Sequence, residues 1–265
     1  MFLPDYYVVQ AANKGLLMKL DLSQIPNYGK LYKAITDQIP STLAPYGVPY
    51  TINDMGLAYR TDTHTKISSW KDLWRSDFKG EVLMPTITAT SGPMALVMTS
   101  LVYGGTQTNV EPGFEALETL KSSIVTFYSM SSDPQTLFGR GEVQIGPVLR
   151  YNWAPLKNLT KPVDIIYPTE GSVYNLNMIS IVNGTKNADL GYKLIDFWLS
   201  TGIQTGEALA GVDAPVNHEA VSNLPANHPL NVLTVFNNKP TYLDPVNLAK
   251  NLASWVDAWK KRIES

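Results

Sequence analysis

The sequence predicts an α/β protein, and three observations carry that expectation. Short apolar runs at period two alternate along the chain with longer runs at helical period. Proline and glycine fall between these runs rather than inside them. The chain has 265 residues, 44% apolar and 17% charged, which is enough ordered sequence for one large or two modest domains. No internal repeat and no low-complexity linker interrupts the pattern.

From the N-terminus, Asp5 is placed to cap a helix over Tyr6 to Lys14, with Gly15 as its left-handed stop. Leu16 to Leu22 reads as a connection, and Ile25 to Pro45, broken by Pro26, Pro40 and Pro45, wraps a surface. Val48 to Tyr59 reads as two short strands with a polar interruption at Asn53 and Asp54. Ser69 caps a short helix carrying Trp70, Leu73 and Trp74, and Gly80 precedes a strand over Val82 to Met84. Pro85 to Met94 is a hydroxyl-rich turn feeding a helix from Pro93 to Tyr103, closed by Gly104 and Gly105. The start of that helix favours an anionic group; Thr90 or Ser91 as a simple N-cap is the alternative, and the two are compatible.

A helix over Phe114 to Leu120, a strand over Ile124 to Tyr128 and a polar turn over Ser129 to Asp133 follow. Val143 to Val148 is a strand opening onto Leu149, Arg150, Tyr151 and Asn152. Between Tyr167 and Val182 a strand resumes after Pro168 and Gly171, and Tyr174, Asn175 and Asn177 bring polar groups onto an otherwise apolar segment. That pattern fits a ligand wall or a strand end with capped edges. Leu190 to Leu199 is an amphipathic helix offering Leu190, Leu194, Ile195, Phe197 and Trp198 to a core. A second helix reaches Ala210, a turn-rich loop runs from Gly211 to Asn217, and Val246 to Ile263 closes the chain as a helix with a Leu248, Leu252, Trp255, Val256, Trp259 stripe.

The totals exclude several functions. A net charge of −2 without any Lys/Arg cluster argues against a nucleic-acid surface. No cysteine means no thiol catalysis, no Cys-ligated zinc and no disulfide, and suits an oxidising compartment. No apolar run approaches the ~18–20 residues needed to span a bilayer. Met1-Phe-Leu-Pro-Asp5 has neither a charged nor an apolar leader region, so the expectation is a cytoplasmic protein or a targeting segment outside this sequence. His64, His218 and His228 stand apart with no zinc spacing, and no phosphate loop, dinucleotide fingerprint or nucleophile elbow is present. Nothing assembles a nucleophile, a base and an orienting group, so neither a catalytic residue, a metal site nor a cofactor is expected.

Four segments, in order, resemble the extracytoplasmic solute-binding proteins of bacterial ABC importers, in the spermidine/putrescine-binding family. They are Pro4–Val8 with Gly15–Asp21; Tyr46–Tyr50 through Gly56–Tyr59; Ser69–Trp74 with Phe78–Gly80; and Tyr167–Gly171 with Lys193–Leu199. The resemblance implies a two-lobe periplasmic-binding-protein-like (type II) fold, its α/β lobes joined by crossing strands near Asp54 and Asn175 and closing on a ligand by a hinge. Residues 1–54 and 176–224 would form lobe I, and 55–175 and 225–265 lobe II. Family members begin with a strand–helix–strand that this sequence enters only afterwards, so the first lobe is expected to lack roughly 30 residues, one βαβ unit. An incomplete lobe exposes edges able to pair with another chain; the intact protein is expected to be a monomer. The implied partners are a small-molecule solute and the permease subunits, in a periplasmic or extracytoplasmic setting. The other readings weighed are an α/β enzyme and a chemosensory receptor module.

Carried over by position, Tyr6 keeps a family aromatic contact and Ser129 falls near a hydroxyl contact. The family's acids do not carry over: Ile87 and Thr90 stand at two of those positions and Asn177 at a third. Leu149 and Asn175 replace aromatics, and Asp213 occupies a place usually held by Tyr. Two ammonium groups and one surviving acid do not balance, because an unpaired buried ion costs several kcal/mol. Arg150, beside a wall position, favours a carboxylate or phosphonate, unless it points outward in a surface ion pair. The expected ligand is therefore a small amino acid, ω-amino acid, organic acid or phosphonate. Its anionic end would meet Arg150 and the Thr88, Thr90 and Ser91 loop, and an amine end Asp213 and the Tyr6 or Tyr174 rings, with Tyr151, Asn175, Asn177 and Ser129 completing the wall. A polyamine is the alternative.

Overall fold

The computed structural model describes residues 1–63, 66–237 and 240–265, so His64 lies outside the described residues. Its strands are β1 (Phe2–Pro4), β2 (Val48–Arg60), β3 (Val82–Pro85), β4 (Ile124–Tyr128), β5 (Ile145–Leu149), β6 (Val163–Ile166), β7 (Val173–Ile179) and β8 (Thr241–Tyr242). The helices begin with α1 (Asp5–Asn13), α2 (Lys33–Thr36), α3 (Ser91–Val102), α4 (Glu111–Leu120), α5 (Asp133–Arg140) and α6 (Trp153–Lys157). They continue with α7 (Ala188–Trp198), α8 (Thr201–Leu209), α9 (His218–Ser222), α10 (Val232–Asn237) and α11 (Pro245–Arg262).

The chain divides into two compact units. The first comprises Met1–Asn53, Asn175–Asn237 and Asp244–Ala249; the second comprises Asp54–Tyr174, Asn238–Leu243 and Lys250–Ser265. β2 leaves the first unit between Asn53 and Asp54, and β7 returns to it between Tyr174 and Asn175. The expected interruption at Asn53 and Asp54 does not break the strand: Val48–Arg60 is one continuous run, because strand backbone accepts polar side chains wherever these find partners. Residues 225–237 and Asp244–Ala249 group with the first unit, where the sequence division had them with the second. The amphipathic stripe of α11 carries no mark of where along it the packing partner changes.

In the first unit β1 pairs antiparallel with β7, Phe2 opposite Ile179 and Pro4 opposite Asn177. Asp5 is buried and joins helix to strand: its carboxylate accepts the Tyr6 N–H at 2.8 Å and the Leu176 N–H at 3.0 Å. Gly15, at φ +67°, ends the segment in the left-handed region. α7 meets its expected burial only in part, at Ile195 and, half-buried, at Trp198. It buries Tyr192 and Ile195, while Leu190, Leu194 and Phe197 are exposed at 66%, 44% and 56%. Both faces of this helix are apolar, so periodicity alone does not say which one turns inward. Gln204 of α8, itself buried, donates to the Tyr50 carbonyl at 2.8 Å and accepts the Val216 N–H at 2.9 Å. Asn217 then caps α9, accepting from Glu219 and Ala220. These bonds fix the Gly211–Asn217 loop against β2.

In the second unit β2 runs antiparallel to β5 and to β6, and β3 lies parallel to both β4 and β5. Parallel central strands are covered by helices, and their residues are accordingly apolar throughout. Gly92 stands second in α3 where a Cβ would collide with the Thr86 carbonyl, which seats the hydroxyl-rich loop directly on the helix. Ser69 and Asp72 form a reciprocal capping box on the 3-10 turn Trp70–Trp74. α5 begins at Asp133, the end of the expected polar turn, where no helix is expected, although Pro134 in its first turn and Gly141 at φ +77° are ordinary start and stop signals. The α11 stripe packs as expected, with Trp259 fully buried and its ring 6.5 Å from Phe114 and 6.1 Å from Phe127.

Candidate functional site

The first unit gathers a half-buried acidic cluster around Asp213, which the loop after α8 holds beside β2. Thr51 reaches the Asp213 carboxyl, while the Thr51 hydroxyl donates to the Ala214 carbonyl at 2.8 Å. Burial raises the Asp213 carboxyl to about 7; the charge of Glu207 adds to the rise, and the Thr51 contact opposes it. Burial likewise raises Glu207. Tyr50 is pushed up to about 12 by burial and by the charges of Asp213 and Glu207, against a hydrogen bond with Asn177. No lysine or arginine among the described residues contributes to holding charge on Asp213. The cluster is thus short of one positive charge.

Tyr50 in turn packs against two further aromatic rings. Tyr50 stands edge-on to Phe2 at 5.3 Å and to Trp198 at 6.5 Å, and Phe2 lies 5.2 Å from Trp198. Asn177 and Asn175 lie two apart on β7 and so share a face. Asn175 is 1% exposed, and neither its amide nitrogen nor its oxygen has a hydrogen-bond partner among the described residues.

The second unit presents a different arrangement. Arg150 and Asp54 are both buried and form a bidentate pair, Nε to Oδ1 at 2.5 Å and Nη2 to Oδ2 at 2.7 Å. The guanidinium lies 4.5 Å over the Tyr167 ring. Burial acts to weaken the proton affinity of Arg150, but the neighbouring carboxylate outweighs it and holds the group above its ordinary value. Burial and the Asp54 charge raise the Tyr167 phenol. Arg150 is therefore neither an outward surface residue nor an uncommitted anion clamp: Asp54 already neutralises it.

The remaining expected residues separate by role. Ser91 opens α3 without a side-chain capping bond and instead bonds Tyr128, whose hydroxyl donates to the Pro147 carbonyl at 2.9 Å. Thr90 is half-buried at the helix N-cap and Thr88 is exposed. Ser129 is exposed, and its N–H donates to Asp133 at 3.0 Å in the turn before α5. Tyr151 is half-buried beside Arg150. Tyr174 belongs to the second unit, buried and stacked on Tyr242 at 5.1 Å, whereas Tyr6 is buried in the first unit against Tyr7 at 4.4 Å. The structure thus brings Asn177 and Asp213 together through Tyr50, sets Asn175 on the same strand face, and leaves Tyr6 in the helix packing. Tyr50, Thr51, Glu207 and Asp54 belong to these clusters and were not singled out as site residues. Only Asp54 carried a signal, as a carboxylate inside an apolar strand.

Residues 1–230 match the family of bacterial extracellular solute-binding proteins. The chain belongs to that family. It is 26% identical over 199 residues to the spermidine/putrescine-binding periplasmic protein of Escherichia coli (strain K12), a match covering 73% of this chain and 56% of that protein. The corresponding protein of Salmonella typhimurium is 25% identical, covering 92% of this chain and 69% of its own length. The crystal structure of an ABC transporter from Clostridium perfringens superposes with a TM-score of 0.80 at 28% identity, covering 99% of this chain and 82% of that one. The fold is accordingly the α/β periplasmic-binding-protein fold. Among the described residues no helix is long and apolar enough to cross a membrane, and no group of His, Asp and Glu is arranged to hold a metal ion.

Proposed function

We propose that this protein is the substrate-binding component of an ABC importer, acting outside the cytoplasmic membrane, and that its cargo is a small solute bearing an ammonium group. The cargo is passed to the permease without chemical change. One observation carries the cargo reading: a half-buried carboxyl pair, Asp213 and Glu207, beside the Tyr50 ring and matched by no cation among the described residues. A bound ammonium supplies the missing charge and lays its methylenes against the Tyr50 ring. Arg150, paired with Asp54, offers an anionic cargo end no unneutralised charge.

A second reading, polyamine cargo, draws support from the spermidine/putrescine-binding relatives and from Glu207 as a second carboxyl. Thermal-shift titration of the full-length protein with a panel of primary amines tests both readings. At least one amine should raise the melting temperature of the wild type, and none should raise that of Asp213→Asn. A panel without any shift, or an equal shift in the variant, overturns the assignment.

A further inference from the structure

The acidic cluster draws on three elements: Tyr50 from β2, Glu207 from α8 and Asp213 from the loop that follows α8. All three residues are half-buried and so reach solvent. The Glu207 charge acts against ionisation of Asp213, so the two carboxyls repel when both are charged. Holding the three elements together against that repulsion falls to a side chain outside the cluster.

Gln204 lies on α8 three residues before Glu207, so the two share a helix face. It is 2% exposed, and both ends of its amide are bonded to backbone. Nε2 donates to the Tyr50 carbonyl at 2.8 Å, and Oε1 accepts the Val216 N–H at 2.9 Å and the Asn217 N–H at 3.4 Å. One amide thus ties α8 to Tyr50 itself and to the loop three residues past Asp213. We propose that Gln204 is the positioning residue of the amine site, locking β2, α8 and the Gly211–Asn217 loop so that Tyr50, Glu207 and Asp213 stand ready before an ammonium arrives. This rests on the cation reading above. A neutral amide suits the task because it donates at one end and accepts at the other. A lysine there would supply the charge that the cargo brings, and an ionised glutamate would leave the Tyr50 carbonyl without a donor. Ordering done in advance does not weigh against binding.

The test compares the full-length wild type with Gln204→Met, which keeps the length of the side chain and removes the amide. In calorimetry with a panel of primary amines including putrescine, each amine that binds the wild type at pH 8 should bind the variant about tenfold more weakly, the equivalent of one to two hydrogen bonds. In carboxyl-carbon NMR without cargo, Asp213 should titrate near pH 7 in the wild type and at least about one pH unit lower in the variant. Burial is the main cause of its elevation, and a loosened loop buries it less. A side chain that only supports the fold would lower the melting temperature and leave both readings in place. Gln204→Asn, the same amide one methylene shorter, should move both readings in the same direction and reads out where the methionine variant folds poorly. Affinities within twofold of the wild type, or an unmoved Asp213 titration, overturn the role of Gln204; the cation reading stands if Asp213→Asn still loses affinity. A panel that leaves the wild type unbound overturns both.

Discussion

Replacing Asp213 by Asn should stabilise the protein without cargo while abolishing its affinity. The folded carboxyl titrates near 7 against an ordinary 3.8, a difference of about three units. Each unit corresponds to about 1.36 kcal/mol, so holding Asp213 ionised costs up to about 4 kcal/mol, and about half that if local solvent relaxes around a half-buried group. The sign follows from proton uptake. Between pH 4 and 7 the folded state keeps a proton that the unfolded chain has released, so stability falls as pH rises through that window and reaches its floor above pH 7. Asn carries no such penalty. Denaturant unfolding should therefore find Asp213→Asn more stable than the wild type by about 2–4 kcal/mol at pH 8, with the difference closing near pH 4. A variant less stable at pH 8, or an offset independent of pH, would refute a carboxyl held against its ionisation. Stability given up at a binding residue is the usual mark of a site shaped for a ligand.

Two further predictions concern the rest of the molecule. Arg150→Ala leaves Asp54 buried and unpaired, so urea unfolding should show a loss of about 3–5 kcal/mol, and the double variant Arg150→Met with Asp54→Leu should recover most of it. Phe197→Lys, on the exposed face of α7, should change stability by no more than about 0.5 kcal/mol, whereas a core position would lose several times that.

Much of the fold was legible because local rules and tertiary packing agree. The Ser69 cap, the Ile124–Tyr128 strand and the Trp255–Trp259 stripe stand where spacing and capping place them. For α7 only Ile195 and half-buried Trp198 match, because Leu190, Leu194 and Phe197 form a second apolar stripe as regular as the buried one. Arg150 shows the same limit for the site. Its type and position suit an anion, but its partner Asp54 lies 96 residues away, and only the β2–β5 register at Met55 and Leu149 brings the two together. Glu207 and Tyr50 are equally silent in sequence, since a carboxylate on a helix and a tyrosine in a strand are ordinary until a third element sets Asp213 beside them.

Proton release on binding tests the central claim most directly. At pH 6 the unliganded Asp213 is mostly protonated, and pairing it with an ammonium requires its charged form. Calorimetry with putrescine in buffers of differing ionisation enthalpy should show close to one proton released per amine bound at pH 6 and almost none at pH 8. Binding without proton release at pH 6, or the same release from Asp213→Asn, would contradict a carboxyl at Asp213 as the counter-ion of the cargo.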